Sequence, residues 1–186
     1  MTSQLRVDSI LPVDGAPTGG GGGIVQVVST NVDSTSDITL STQYSYYEIT
    51  PLTTTITTRS ANSKILVTAG IGGEANHEDY YLAFRCGRVV GGSLTYIFKG
   101  ADASSRTTCL SMGAQGYHTS DQNSTTSYQT YPNMLDSPNT TSAVTYKMIA
   151  RNFHSQDLHI NRSRIDSNSD VVARTASSIT VMEVSA

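Results

Sequence analysis

Residues 64–69 read Lys64-Ile65-Leu66-Val67-Thr68-Ala69, and residues 143–152 read Ala143-Val144-Thr145-Tyr146-Lys147-Met148-Ile149-Ala150-Arg151-Asn152; each is expected to form one strand. In the first, Ile65, Val67 and Ala69 alternate with Leu66 and Thr68. In the second, Val144, Tyr146, Met148 and Ala150 alternate with Thr145, Lys147 and Ile149. Side chains of an extended chain point to opposite faces in turn, so this period of two marks strands with one face in a core. Working outward, further short β segments are expected at Ile24–Val28, Asp37–Leu40, Tyr44–Thr50, Thr53–Thr58, Tyr80–Val90 and Leu94–Lys99. Others are expected at Thr107–Met112, Tyr128–Leu135, Leu158–Arg162 and Ile179–Val184. Gly72-Gly73, Gly91-Gly92 and Ser137-Pro138-Asn139 read as turns between them. Ten or so short strands with such punctuation describe an all-β fold, a β-sandwich or jelly roll.

Composition agrees. The 186 residues hold 25 Ser, 25 Thr and 10 Tyr against 3 Lys and 4 Glu, so strand formers outnumber the residues of long helices. A helical bundle is excluded. Charged residues make up 15% and the net charge is −3, with the 12 Lys and Arg scattered singly. That distribution argues against a nucleic-acid-binding face. No 18-residue apolar run exists, so no membrane-spanning helix is expected. The start, MTSQLRVDSI, lacks the basic and apolar regions of a signal peptide, so synthesis in a cytoplasm and free thiols at Cys86 and Cys109 are expected.

The first 23 residues differ from the remainder. Leu5-Arg6-Val7-Asp8-Ser9-Ile10 has one short strand's worth of pattern, Leu11 to Thr18 is rich in turn formers, and Gly19 to Gly23 is an unbroken glycine run. Five glycines make a hinge or linker. A phosphate loop would need Lys-Ser/Thr and a following helix, and neither stands here. Two units are therefore expected: an extended arm over 1–23 and a β head over 24–186.

Catalytic and metal signatures are weak. His77-Glu78-Asp79 offers ligand types, but neighbours on an extended chain point apart. His154, Asp157 and His159 form no closed ligand set, so no metal and no cofactor is expected. No serine sits in a nucleophile elbow and no acid pair is placed for glycan cleavage. Cys86, within Phe84-Arg85-Cys86-Gly87-Arg88, has two readings: a thiol activated by arginines, or a small core residue on a strand. The N-x-S/T sequons beginning at Asn123, Asn139 and Asn161 read as polar loop residues. The chain is not expected to be an enzyme.

Tyrosine is the informative excess. Tyr117, Tyr128 and Tyr131 flank the polar stretch Thr119–Thr126, where rings beside hydroxyls and amides suit saccharide stacking. Candidate glycan contacts are Tyr117, His118, Gln122, Asn123, Tyr128 and Tyr131. The alternative is that these tyrosines half-bury on strand faces or at subunit contacts.

The opening LRVDSILPVDGAPTGGGGGIVQVV resembles the N-terminal arms of tailed-phage virion proteins, especially tail-fibre-like proteins of phages infecting cyanobacteria and other aquatic bacteria. SKILVTAGI, YYLAFRCGRVVGG, MLDSPNTTSAVTYKMIARN, HINRSRID and the ending RTASSITVMEVSA are similar to the same family, in that order along nearly the whole chain. The resemblance implies a homotrimeric β-sandwich with an arm docked on the phage tail or baseplate, and carries no catalytic residues. A short tail fibre located in the virion tail is then expected, with Leu5, Val7 and Ile10 as tail-attachment positions and host surface polysaccharide as a partner. The rivals are a capsid decoration protein, a glycan depolymerase and an assembly aid absent from the particle.

Overall fold

A computed structural model describes residues 23–75, 82–113, 126–170 and 172–185. The expected arm, with Leu5, Val7 and Ile10, lies outside the described residues apart from Gly23. So do His77, Glu78 and Asp79. The described chain is all-β, two antiparallel sheets with no helix among its residues.

The first sheet is organised about β4 (Lys64–Ala75). One edge of β4 pairs with β8 (Ser127–Asp136) from Ile65 to Gly73. Its other edge pairs first with β11 (Ser177–Val184) over Lys64–Gly70, then with β10 (Gln156–Ile160) over Gly73–Ala75. Beyond these lie β1 (Ile24–Val32) on β11 and β2 (Ser36–Leu40) on β10. The second sheet has the order β3 (Tyr46–Thr57), β9 (Ala143–Arg151), β5 (Leu82–Val90), β6 (Ser93–Ile97), with β7 (Ser111–Gly113) also on β5.

The two quoted stretches behave as their period requires. Ile65, Val67, Ala69, Val144, Tyr146, Met148 and Ala150 all enter one core, where they meet Phe84 and Cys86 of β5 and Ile179 and Val181 of β11. Each large apolar side chain removed from water contributes roughly 1.5–3 kcal/mol, the main term holding the sheets together. Ile149 breaks the alternation: it faces outward yet is only 1% exposed. Side chains close the flanks of the sandwich. Thr30 Oγ1 donates to Thr53 O at 2.9 Å between β1 and β3, and Ser111 Oγ donates to Gln129 Oε1 at 3.0 Å between β7 and β8.

Four expectations are corrected. Tyr44–Thr50 and Thr53–Thr58 form one strand, β3, whose pairing with β9 shifts register between Glu48 and Thr53. The irregularity takes up Pro51, which has no N–H for a ladder, while Ile49 and Leu52 stay in the core. Gly72-Gly73 is no turn, because β4 runs straight through it to Ala75. Those glycines serve close approach instead: a Cβ on Gly72 would collide with the Thr175 side chain, and one on Gly73 with the carbonyl oxygen of His159. Thr107–Met112 yields only the short β7, because the Thr108 carbonyl accepts from Arg85 Nε at 2.6 Å. Asn161 is no surface loop residue. It is fully buried, and its Nδ2 donates to Val32 O at 2.8 Å and Ser34 O at 3.0 Å. Gly91-Gly92 does turn, with φ of 55° and 81° between β5 and β6.

Candidate functional site

Of the six residues read as glycan contacts, Tyr117, His118, Gln122 and Asn123 lie outside the described residues. Tyr128 and Tyr131 both stand on β8, three positions apart, so the period of two sends them to opposite faces. Tyr128 faces outward and is 48% exposed, whereas Tyr131 is 7% exposed. The Tyr131 ring tilts against Phe84 at 6.2 Å between centroids. Its hydroxyl donates to Gln129 Oε1 at 2.6 Å and stands 2.9 Å from Ser111 Oγ. Burial pushes that hydroxyl's pKa well up. Its ring is a core element, and no face of it is offered for stacking on a sugar.

Tyr128 is placed by glycines. It pairs with Gly72, and its ring lies over the face of β4 where Gly70 and Gly72 carry no side chain. Any Cβ at Gly70 would occupy the space of the Tyr128 phenol tip. Next to the ring, Asn31, Ser178, Gly70 and Thr130 follow one another across β1, β11, β4 and β8 as directly opposed partners. A parallel row holds Ser29, Thr180 and Thr68, with a 2.8 Å bond between Ser29 Oγ and Thr180 Oγ1. Between these rows and the ring is a shallow open groove of about 260 Å³, lined by Thr68, Ala69, Gly70, Tyr128, Thr130, Tyr131, Pro132 and Ser178.

The described lining of the groove offers one aromatic face and hydroxyls that both donate and accept, and among the described residues it holds no carboxylate, imidazole or amine. Such a surface can stack on an apolar ring face and bond neutral hydroxyls. The sequence reading missed Thr68, Thr130 and Ser178. The signal that points to them is the Gly70-x-Gly72 spacing inside an alternating strand, which leaves a bare strip for a neighbour's ring.

The other candidate groups have structural roles. His159 is 7% exposed, with Nδ1 at 2.8 Å from Asp37 Oδ1. Asp37 also takes Arg162 Nη2 on both oxygens, at 2.7 and 2.8 Å, and this hydrogen-bonded guanidinium holds its carboxyl below the usual range. Among the described residues no group of three or more His, Cys, Asp or Glu could hold a metal. Cys86 is the core residue of its two readings: it is fully buried, and burial with the nearby Asp136 charge pushes its thiol up to about 12. Cys109 is half-buried and its thiol is also raised, again by burial. In native protein at pH 8, a thiol-reactive chromophore is therefore expected to label at most Cys109, and that slowly. Denaturant should release the second thiol, and rapid labelling of both before unfolding would refute the placement of Cys86.

No protein-family model matches the chain, and no curated protein matches it. Among solved structures it is similar to the structure of infectious bursal disease virus Gx strain, at 10% identity and a TM-score of 0.45, covering 97% of this chain and 44% of that one. The Gt strain structure gives 8% identity and a TM-score of 0.40 over 97% and 42%. A VP2 subviral particle of the same virus gives 10% and 0.36 over 97% and 44%. This chain thus spans less than half the length of those chains. At TM-scores below 0.5 these likenesses decide neither fold family nor function.

Proposed function

We propose that this chain is a virion structural protein, a short tail fibre whose head contacts glycans of the host surface. Its ordered resemblance to tail-fibre-like phage proteins supports the first part, and the two-sheet β architecture is what that resemblance implies. The observation that carries the second part is the exposed Tyr128 ring laid on a glycine strip beside the hydroxyls of Thr68, Thr130 and Ser178. In this reading three copies associate, residues 1–23 fasten them to tail or baseplate through Leu5, Val7 and Ile10, and the head binds without catalysing. Low charge and abundant hydroxyls suit a neutral saccharide.

Two measurements test it. Virions carrying a density label on Ala186 should show it at the tail tip or baseplate under the electron microscope. Label spread over the capsid would replace the fibre by a decoration protein. Separately, Tyr128→Ala is expected to reduce adsorption about tenfold, since loss of one aromatic stack is worth about 1 kcal/mol or slightly more. Thermal unfolding should stay near wild type, because the ring is half exposed. Unchanged adsorption would remove the groove as the contact site.

A further inference from the structure

The outer face of the second sheet carries a different kind of surface. Arg85 is 8% exposed, and its guanidinium carbon lies 4.3 Å from the ring centre of Tyr46 and 4.8 Å from that of Tyr96. Those two rings are themselves 5.2 Å apart. Arg151, paired with Tyr46 across β3 and β9, lies 5.6 Å from the same Tyr46 ring, 5.4 Å from Tyr44 and 4.9 Å from Phe153. Two cations are thus held against one ring.

Neither arginine has a carboxylate partner among the described residues. The acids whose charge reaches this cluster are already taken: Glu48 accepts from Lys147 Nζ at 2.7 Å, and Asp102 is paired with Lys99. Backbone and hydroxyl groups set the guanidiniums in place. Arg85 donates through Nε and Nη2 to the carbonyl and hydroxyl of Thr108, at 2.6 and 2.8 Å. Arg151 donates through Nε to Tyr44 O at 3.2 Å and through Nη1 to Thr107 Oγ1. Nη1 of Arg85 and Nη2 of Arg151 keep their donors without a partner among the described residues. Two like charges that share the Tyr46 ring and are held by neutral groups would gain from an incoming carboxylate.

We propose that this face binds an acidic saccharide, with the carboxylate of a uronic acid taken by the Arg85–Arg151 pair. Tyr44, 55% exposed at the rim and edge-on to Phe153 at 6.1 Å, supplies a ring for the sugar's C–H face. That ring favours a saccharide over an acidic peptide. The site lies on the sheet opposite the Tyr128 groove and shares no residue with it.

The test is calorimetric titration of the whole chain carrying Tyr128→Ala, which removes the ring of the other groove, with oligogalacturonate as ligand and neutral malto-oligosaccharide and polyglutamate as comparators. Binding of oligogalacturonate alone is expected, weakening as salt rises. Arg151→Gln should lose at least about tenfold in affinity, and Tyr44→Ala should lose affinity while its thermal unfolding stays at the wild-type value. Absence of oligogalacturonate binding, or binding undiminished in both variants, would overturn the site. Equal binding of polyglutamate or of the neutral oligosaccharide would overturn the assignment to an acidic sugar. The groove ring is absent from every titrated chain, so failure here and failure of the groove are read separately.

Discussion

Replacing Asp136 with Ala is expected to destabilise the protein by about 3 kcal/mol, the cost of leaving an inward-facing cation without its partner. Asp136 ends β8 and takes Arg88 Nη1 at 2.9 and 3.0 Å on its two oxygens. It also accepts from the Tyr146 hydroxyl at 2.8 Å. Arg88 and Tyr146 face each other across β5 and β9, so this one carboxylate joins both sheets. Tyr146 is fully buried, and burial together with the hydrogen bond to Asp136 drives its hydroxyl far above the usual phenol range. Without Asp136 that hydroxyl has lost its partner and the guanidinium its counter-charge. The Arg88 side chain is 21% exposed, so water recovers part of the loss and the lower end of the usual range applies. Tyr146→Phe removes one hydrogen bond and keeps the ion pair, for a cost of about 1 kcal/mol. Urea unfolding of the two variants measures both figures. An Asp136→Ala variant within about 1 kcal/mol of wild type would show that the carboxylate does not hold the sheets.

Gly73→Ala should cost a similar amount, about 3 kcal/mol, for a different reason. Its φ of 158° is one that residues with a side chain rarely adopt, and the space beside it is closed as well. Gly73 is paired on both edges at once, with Ser127 of β8 and Ile160 of β10. An added methyl would meet the backbone oxygen of His159, which cannot swing away as a side chain would. β10 cannot retreat either, since β2 holds its far edge from Gln156 to Ile160 and Asp37 clasps both His159 and Arg162. Loss of the β4–β10 pairing should appear as faster amide exchange in β10 and β2, with the β3–β9 ladder still protected. Gly70 is the contrast. There the obstacle is the exposed phenol tip of Tyr128, which can move. A Gly70→Ala variant with the larger loss of stability would contradict this account.

Much of the fold was legible because it rests on a local signal. The period of two in Lys64–Ala69 and Ala143–Ala150 depends only on the geometry of extended chain, and it assigned the buried faces of β4 and β9 correctly. The errors fell where a distant partner overrode local chemistry. Gly72-Gly73 has the composition of a turn, yet Thr175 and His159, far along the chain, need the bare backbone there. Thr108 has the composition of a strand, yet Arg85 captures its carbonyl.

The candidate site divides in the same way. That tyrosines near the polar stretch were worth attention was readable from composition. Which one faces water was not, because Tyr128 and Tyr131 are the same residue type on one strand and differ only in the face each occupies. Sequence alone determined an all-β chain, its main strands and the absence of any strong catalytic motif. Tertiary structure decided that Tyr131 belongs to the core, that glycines of one strand form the bed for an aromatic of another, and that Arg85 and Arg151 share the Tyr46 ring with no carboxylate bonded to either among the described residues. The physical reason is that alternation is a property of consecutive residues. A surface, by contrast, is made where strands distant in sequence are brought side by side, and only their register says which side chains meet.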